Sequence, residues 1–104
     1  MKIAIGLPAF NEERNIGKII AKLLEKSYSV IVCNDGSSDS TGLIAEKMGV
    51  TTINHKRNLG YGASIQSLFN KAKENDVDIL VTFDSDGQHS IDDIEKLELK
   101  QLQN

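Results

Sequence analysis

Short apolar runs alternate with longer amphipathic stretches along this chain. The runs "KIAIGL", "SVIVC", "VTTIN" and "DILVTF" have the length and apolar character of strands buried on both faces. Polar segments follow these runs, and stretches with helical periodicity come after them. The pattern therefore predicts a repeating order of strand and helix, in which the run "VTTIN" is the weakest strand.

The first predicted helix has the clearest amphipathic pattern. Asn11 is its expected cap, and two glutamates occupy its expected first turn. Its apolar stripe consists of Ile16, Ile19, Ile20, Leu23 and Leu24.

Three further helices are predicted. The stretch "TGLIAEKM" forms one, with Ser38 or Asp39 as its cap and Gly49 at its end. Another runs from Tyr61 to about Asn75, and a last one starts near Ser90. The apolar stripe of the helix that begins at Tyr61 consists of Ile65, Leu68, Phe69 and Ala72.

This order of elements predicts an α/β fold, an open parallel sheet of the Rossmann-like type with flanking helices. Ligands of such sheets bind outside the carboxyl ends of the strands. The polar clusters "PAFNEE", "NDGSSD" and "DSDGQH" each follow a predicted strand. We therefore expect these clusters to converge at one edge of the sheet and to form a site there.

Composition restricts the class of protein. The 104 residues suffice for a single domain, 1–104, and the net charge of −3 argues against a nucleic-acid partner. No apolar run reaches the ~18 residues of a membrane span, and the N-terminal run lacks the features of a signal peptide. The single cysteine, Cys33, excludes a disulfide framework and favours a small buried side chain. We expect a cytoplasmic protein with no transmembrane segment in this chain.

Asp84 and Asp86 are the first candidates for chemistry. Alternate residues of a strand point to the same side, so two acids at this spacing can face one ligand past the strand end. Such oxygen donors suit Mg²⁺, although a solvated turn explains the same residues. A calcium-binding EF-hand loop fits poorly, because its turn glycine is replaced by His89 and a strand precedes it.

Asp35 is the second candidate, because it stands at a predicted strand end with no evident capping role. Its carboxylate can accept hydrogen bonds from a ribose hydroxyl or a base N–H. The stretch "RNLGYGAS" has Ile65 where a dinucleotide fingerprint needs glycine, and the chain has no phosphate-binding P-loop. A bound nucleotide would therefore need a metal ion for its phosphates. His55 is expected simply to end the third strand, and a contact from His89 to metal or acceptor stays open.

With these motifs in order, the chain resembles family 2 glycosyltransferases of the GT-A fold, in particular dolichyl- or polyprenyl-phosphate mannose and glucose synthases. The resemblance lies in "LPAFNEERNI", "NDGSSDST", "NLGYGAS" and "FDSDGQH", which span residues 7–89. It implies the nucleotide-binding half of a GT-A fold. Asn34 departs from the family's usual aspartate and is given no role.

The resemblance also implies roles for individual residues. Asp86 and Gln88 would hold Mg²⁺ or Mn²⁺, with Asp84 as a further possible ligand. Asp35 would hydrogen-bond the base or ribose of the donor. The implied donor-binding residues are Pro8, Phe10, Glu12, Cys33, Asp35, Asp84, Ser85 and Asp86.

The implied reaction is metal-dependent, inverting transfer of a hexose from a GDP- or UDP-linked sugar to an acceptor. In this branch of the family the acceptor is a polyprenyl phosphate at the cytoplasmic membrane face. The family's acceptor-binding residues and catalytic base follow the D-x-D motif, outside this chain. We therefore expect a truncated donor-binding half that is inactive alone. A non-catalytic nucleotide-sugar-binding or interaction module is the alternative.

Overall fold

The computed structural model describes residues 1–84. These residues form strands β1 (Ile3–Ala9), β2 (Ser29–Asn34), β3 (Thr51–Asn54) and β4 (Ile79–Thr82). Between them lie helices α1 (Ile16–Glu25), α2 (Thr41–Lys47) and α3 (Tyr61–Glu74). The predicted last helix, from Ser90, lies outside the described residues.

The four strands form one parallel sheet in the order β3-β2-β1-β4. From β1 the chain winds outwards to β3, and α3 then carries it back to the other side of β1. The sheet thus has a topological switch point between β1 and β4, where doubly wound sheets bind ligands. The predicted α/β class, an open parallel sheet with flanking helices, is confirmed.

Two hydrophobic clusters cover the two faces of the sheet. Alternation along the strands sends Val30 and Val32 towards α1 and α2, and sends Ile31 and Cys33 towards α3. On the α3 side the buried residues are Ala4, Ile31, Cys33, Leu68 and Ala72. The parallel strands are therefore covered on both faces, as their continuous apolar runs require.

The prediction for the start of α1 was wrong. Asn11 does not cap the helix, because α1 begins at Ile16 and Asn11 has a left-handed φ of 52°. The segment 11–13 instead hydrogen-bonds the loop between β2 and α2. The Asn11 amide N–H donates to Ser37 Oγ at 2.9 Å, and its side-chain oxygen accepts from the Ser38 amide at 2.9 Å. Each of these bonds gives a backbone amide of one segment an acceptor from the other segment.

Other local predictions are confirmed or refined by the structure. Asp39 rather than Ser38 supports the start of α2, since its carboxylate accepts from the Thr41 amide at 3.0 Å. Gly49 ends that helix with a φ of 80°. Two members of the predicted stripes, Leu24 and Phe69, are 41% and 49% exposed, because the buried arc of each helix is narrower than its apolar pattern.

Candidate functional site

A cleft of about 300 Å³ opens at the carboxyl ends of β1, β2 and β4. This volume is at the lower end of the range of small-molecule sites. Its position is the topological switch point of the sheet, where the strand order predicts a ligand. The residues that line this switch-point cleft are Pro8, Ala9, Phe10, Glu12, Asp35, Asn58, Gly60, Tyr61, Ser64 and Asp84.

The end of β1 supplies one wall of the cleft. Pro8, Phe10 and Glu12, all implied by the resemblance, lie together in this wall. Phe10 lines the cleft and is 46% exposed, so part of its aromatic ring is accessible to a ligand there. The Glu12 amide donates to Thr41 Oγ1 at 2.8 Å, so this wall is attached to the start of α2.

Asp35 stands at the end of β2 and is only 4% exposed, yet it lines the cleft. Its Oδ1 accepts from the Leu59 amide and from a ring nitrogen of His55, both at 2.8 Å. Its Oδ2 accepts from the Gly60 amide at 3.0 Å. Asp35 therefore has a structural role that the sequence did not reveal, because it fixes the loop before α3.

These hydrogen bonds also set the protonation state of Asp35. Burial raises the pKa of this carboxyl, but the bonds from His55, Leu59 and Gly60 outweigh burial and hold the pKa below its usual value. The carboxylate is therefore ionised at neutral pH. A carboxylate only accepts hydrogen bonds, so the facing Nδ1 of His55 must carry a proton.

His55 is a central residue that sequence reasoning missed. It follows β3 as expected, but its side chain bridges two elements. Nδ1 meets Asp35, and Nε2 lies 2.8 Å from the Ser67 hydroxyl on α3. The imidazole is largely buried and lies 3.6 Å from the Cys33 sulfur. The signal that could have found it is its place just after a strand of a parallel sheet, the same place that Asp35 occupies.

Cys33 lies behind the cleft and is not one of its lining residues. The side chain is fully buried, as composition suggested, in the cluster between the sheet and α3. Burial raises the pKa of its thiol, which also hydrogen-bonds the Ser64 hydroxyl. Among the described residues, then, Ser64 rather than Cys33 reaches the cleft, and Cys33 supports it from behind.

The stretch "NLGYGAS" contributes more to the cleft than sequence reasoning assigned to it. Asn58, Gly60, Tyr61 and Ser64 all line the cleft. They reach it because the loop after β3 packs against the end of β2 at Gly36, which has a φ of 71°. A Cβ at Gly36 would lie 2.3 Å from the Arg57 carbonyl carbon, so only glycine permits this approach.

The D-x-D motif is only partly within the described residues. Asp84 lies just beyond β4 and lines the cleft, directly across the switch point from the end of β1. Ser85, Asp86, Gln88 and His89 lie outside the described residues. Within residues 1–84, no three acidic, histidine or cysteine side chains are grouped closely enough to hold a metal ion. No helix of this part has the length and apolar character of a membrane span.

The open parallel sheet with flanking helices and a cleft at its switch point is an architecture that this chain shares with GT-A glycosyltransferases of solved structure. The chain belongs to glycosyl transferase family 2, whose family model matches residues 4–103.

Two similar proteins have names that include a polyprenyl phosphate. The UDP-N-acetylglucosamine–dolichyl-phosphate N-acetylglucosaminyltransferase of Methanococcus voltae is 35% identical, with 88% of this chain and 43% of that protein covered. The undecaprenyl-phosphate 4-deoxy-4-formamido-L-arabinose transferase of Proteus mirabilis is 31% identical, and the match covers 92% of this chain and 32% of that protein. The chain thus spans less than half the length of these relatives.

A solved structure with a similar fold is glucosyl-3-phosphoglycerate synthase of Mycobacterium tuberculosis. It was crystallised with Mn²⁺, UDP and glucosyl-3-phosphoglycerate. The likeness has a TM-score of 0.64 at 27% identity and covers 82% of this chain and 33% of that one. The same enzyme has also been crystallised with Mg²⁺ and UDP.

Proposed function

We propose that this chain is the donor-binding half of a glycosyltransferase that moves a hexose from a nucleoside diphosphate sugar to a polyprenyl phosphate. The observation that carries the proposal is the switch-point cleft, which gathers residues from the ends of β1, β2 and β4. Family membership and the polyprenyl-phosphate acceptors in the names of two relatives support it.

In this proposal the walls of the cleft bind the nucleoside. Phe10 stacks on the base, and Pro8 and Glu12 complete the wall around base and ribose. Asp35 accepts a hydrogen bond from the base, and Asp84 and Ser85 contact the ribose and the diphosphate. Cys33 acts indirectly, through the hydroxyl of Ser64.

We assign Mg²⁺ or Mn²⁺ to Asp86 and Gln88, next to Asp84. The donor set fits, since carboxylate and amide oxygens suit these hard cations, which usually take one or two carboxylates plus substrate phosphates. Among the described residues, only Asp84 supplies a candidate ligand at the end of β4. In this proposal the other protein ligands are therefore residues that follow Asp84 in the sequence. A bound divalent cation would neutralise the charge that develops on the departing nucleoside diphosphate.

The proposed transfer inverts the anomeric carbon and takes place at the cytoplasmic membrane face, where polyprenyl phosphates are accessible. The acceptor site and the catalytic base belong to the part of the relatives that this chain does not span. The 104-residue chain alone is therefore proposed to bind donor but not to transfer sugar.

Calorimetric titration of the chain with UDP and GDP, with and without MnCl₂, tests the donor site. We expect Mn²⁺-dependent binding that Asp86→Asn abolishes without changing the circular dichroism spectrum. Asp76→Asn, which removes a carboxylate from an exposed turn, is the matched control and should bind normally. If neither nucleotide binds, the donor site is wrong, and if Asp86→Asn binds as well as wild type, Asp86 is not a metal ligand.

Inactivity is tested separately with radiolabelled UDP-glucose or GDP-mannose and dolichyl phosphate in detergent. We expect no labelled lipid from the isolated chain. Labelled lipid above the level given by Asp86→Asn would show that these 104 residues already contain an acceptor site and would refute the half-site interpretation.

A further inference from the structure

Two hydrogen bonds link Asp35, His55 and Ser67 in series. Asp35 Oδ1 lies 2.8 Å from His55 Nδ1, and His55 Nε2 lies 2.8 Å from Ser67 Oγ. A carboxylate, an imidazole and a hydroxyl in this order form the arrangement that activates a serine nucleophile on several unrelated folds. Neither His55 nor Ser67 lines the switch-point cleft, so the hydroxyl end of this triad lies outside the proposed donor site.

The hydrogen bonds determine which atoms of the triad carry protons. Because the ionised Asp35 can only accept, Nδ1 of His55 carries a proton. In the neutral imidazole the other nitrogen, Nε2, then presents a lone pair, and the Ser67 hydroxyl donates to it. Nε2 is therefore placed to take the proton of Ser67 when the serine oxygen attacks an electrophile.

The side chains of the triad differ in their access to solvent. The His55 and Asp35 side chains are only 9% and 6% exposed, whereas Ser67 is partly exposed. Ser67 lies on α3 beside the buried Leu68, at the border of the buried face of the helix. The Cys33 sulfur is 3.6 Å from Nε2 but fully buried, so an external reagent meets the serine and not the thiol.

The position of Ser67 within α3 restricts the chemistry of the triad. Backbone N–H groups inside an α-helix are bonded to carbonyl groups one turn earlier, so α3 itself supplies no oxyanion hole at Ser67. Attack on a group with a good leaving group depends least on such donors. Hydrolysis of the ester that results is a second attack without this help. The geometry therefore favours capture of a reactive group over repeated turnover.

We propose that Ser67 is a covalent modification site for activated acyl and phosphoryl groups, with His55 as the general base and Asp35 as the residue that positions it. The Ser67 oxygen bonds to the carbonyl carbon or phosphorus, and the bond from that atom to its leaving group breaks. The leaving group departs with the electron pair of that bond. The Ser67 proton passes to Nε2 of His55 and from there to the leaving group, and the product is an ester at Ser67.

An alkyl fluorophosphonate tests this site, because it transfers its phosphonyl group to activated serines and releases fluoride. Intact mass gives the rate of labelling of the chain, and peptide mass spectrometry assigns the label to a residue. Ser29, exposed at the start of β2, is the matched control within the same molecule. We expect Ser67 to react at least about 100-fold faster than Ser29, the typical effect of a positioned general base. Unfolding in urea should abolish this difference, because the triad exists only in the folded chain.

Variants identify the base. His55→Ala should lower the rate at Ser67 at least about 100-fold and leave the rate at Ser29 unchanged. A His55–Ser67 bond that is merely structural predicts that Ser67 reacts no faster than Ser29, which would overturn the proposal. Equal labelling of Ser67 in urea, or in a folded His55→Ala variant, would overturn it as well.

The comparison of native and urea-unfolded wild type decides the matter even if His55→Ala does not fold. The readout is a covalent mass and does not depend on nucleotide binding. Failure of the proposed donor site would therefore leave this proposal standing, and its own failure would leave the donor site standing.

Discussion

At the scale of single residues, Asp35 has two roles. It lines the cleft, and it also anchors the backbone of the loop before α3 through the Leu59 and Gly60 amides. A buried carboxylate with three donors is more stable ionised than protonated, because burial is outweighed by hydrogen bonding. The same bonds that position the carboxylate for a ligand therefore also contribute to folding stability.

This stability should depend on pH in a defined direction. The pKa of Asp35 is lowered in the folded protein, so its contribution is fully present above the unfolded pKa of about 3.9 and is lost as pH falls through the folded value. Urea unfolding should show Asp35→Asn about 2 kcal/mol less stable than wild type at pH 7, the typical effect of hydrogen bonds to a charged group.

The difference should shrink as pH falls below the unfolded pKa of about 3.9, and it should vanish once pH is below the lowered pKa of the folded Asp35 carboxyl. Asp76→Asn, on an exposed turn, controls for the loss of one carboxylate. A difference between wild type and Asp35→Asn that stays constant down to pH 2 would show that ionisation of Asp35 does not stabilise the fold.

At the scale of elements, the loop between β3 and α3 is held against the loop after β2. The contact is between backbones, because the position of a Cβ on Gly36 lies 2.4 Å from the Asn58 nitrogen. Backbone atoms cannot rotate out of the way as a flexible side chain does. Asn58 and Gly60 line the cleft, so the shape of the cleft depends on this contact.

Gly36→Ala should therefore destabilise the protein far more than Gly49→Ala. Both glycines have a left-handed φ, 71° and 80°, but no atom lies within 4 Å of the Cβ position at Gly49. We expect Gly49→Ala to lower the free energy of unfolding by about 1 kcal/mol, which is the cost of a left-handed backbone conformation for a residue with a Cβ. Gly36→Ala adds a backbone clash and should cost at least about 3 kcal/mol in chemical denaturation. Equal costs would mean that the two loops separate freely.

The elements also show what sequence alone could and could not predict. Apolar periodicity located all three described helices and four strands, because burial on two faces leaves a strong pattern. It misplaced the start of α1, because Asn11 bonds with Ser37 and Ser38, far along the chain. It likewise missed His55, whose partners Asp35 and Ser67 lie on other elements. Side-chain contacts between distant segments leave no periodic signal.

At the scale of the whole molecule, residues 1–84 fill the two faces of the sheet unequally. The cluster under α1 and α2 contains several large aliphatic residues from α1 and from β1. The cluster under α3 includes two alanines and a cysteine, and Leu68 is the only large apolar side chain of α3 that is buried. Because α3 carries Tyr61 and Ser64 into the cleft, the cleft wall depends on how Leu68 packs.

Leu68→Ala should accordingly destabilise the whole domain. The side chain is 0% exposed, and truncation of a buried leucine costs about 2–5 kcal/mol, a large share of the stability of a small domain. Phe69→Ala is the matched control on the same helix, since Phe69 is 49% exposed and its ring centroid lies 4.9 Å from the Lys73 ammonium. It should cost about 1 kcal/mol or less. Thermal and urea unfolding of both variants measure this difference, and similar losses would show that α3 is not held to the sheet chiefly by Leu68.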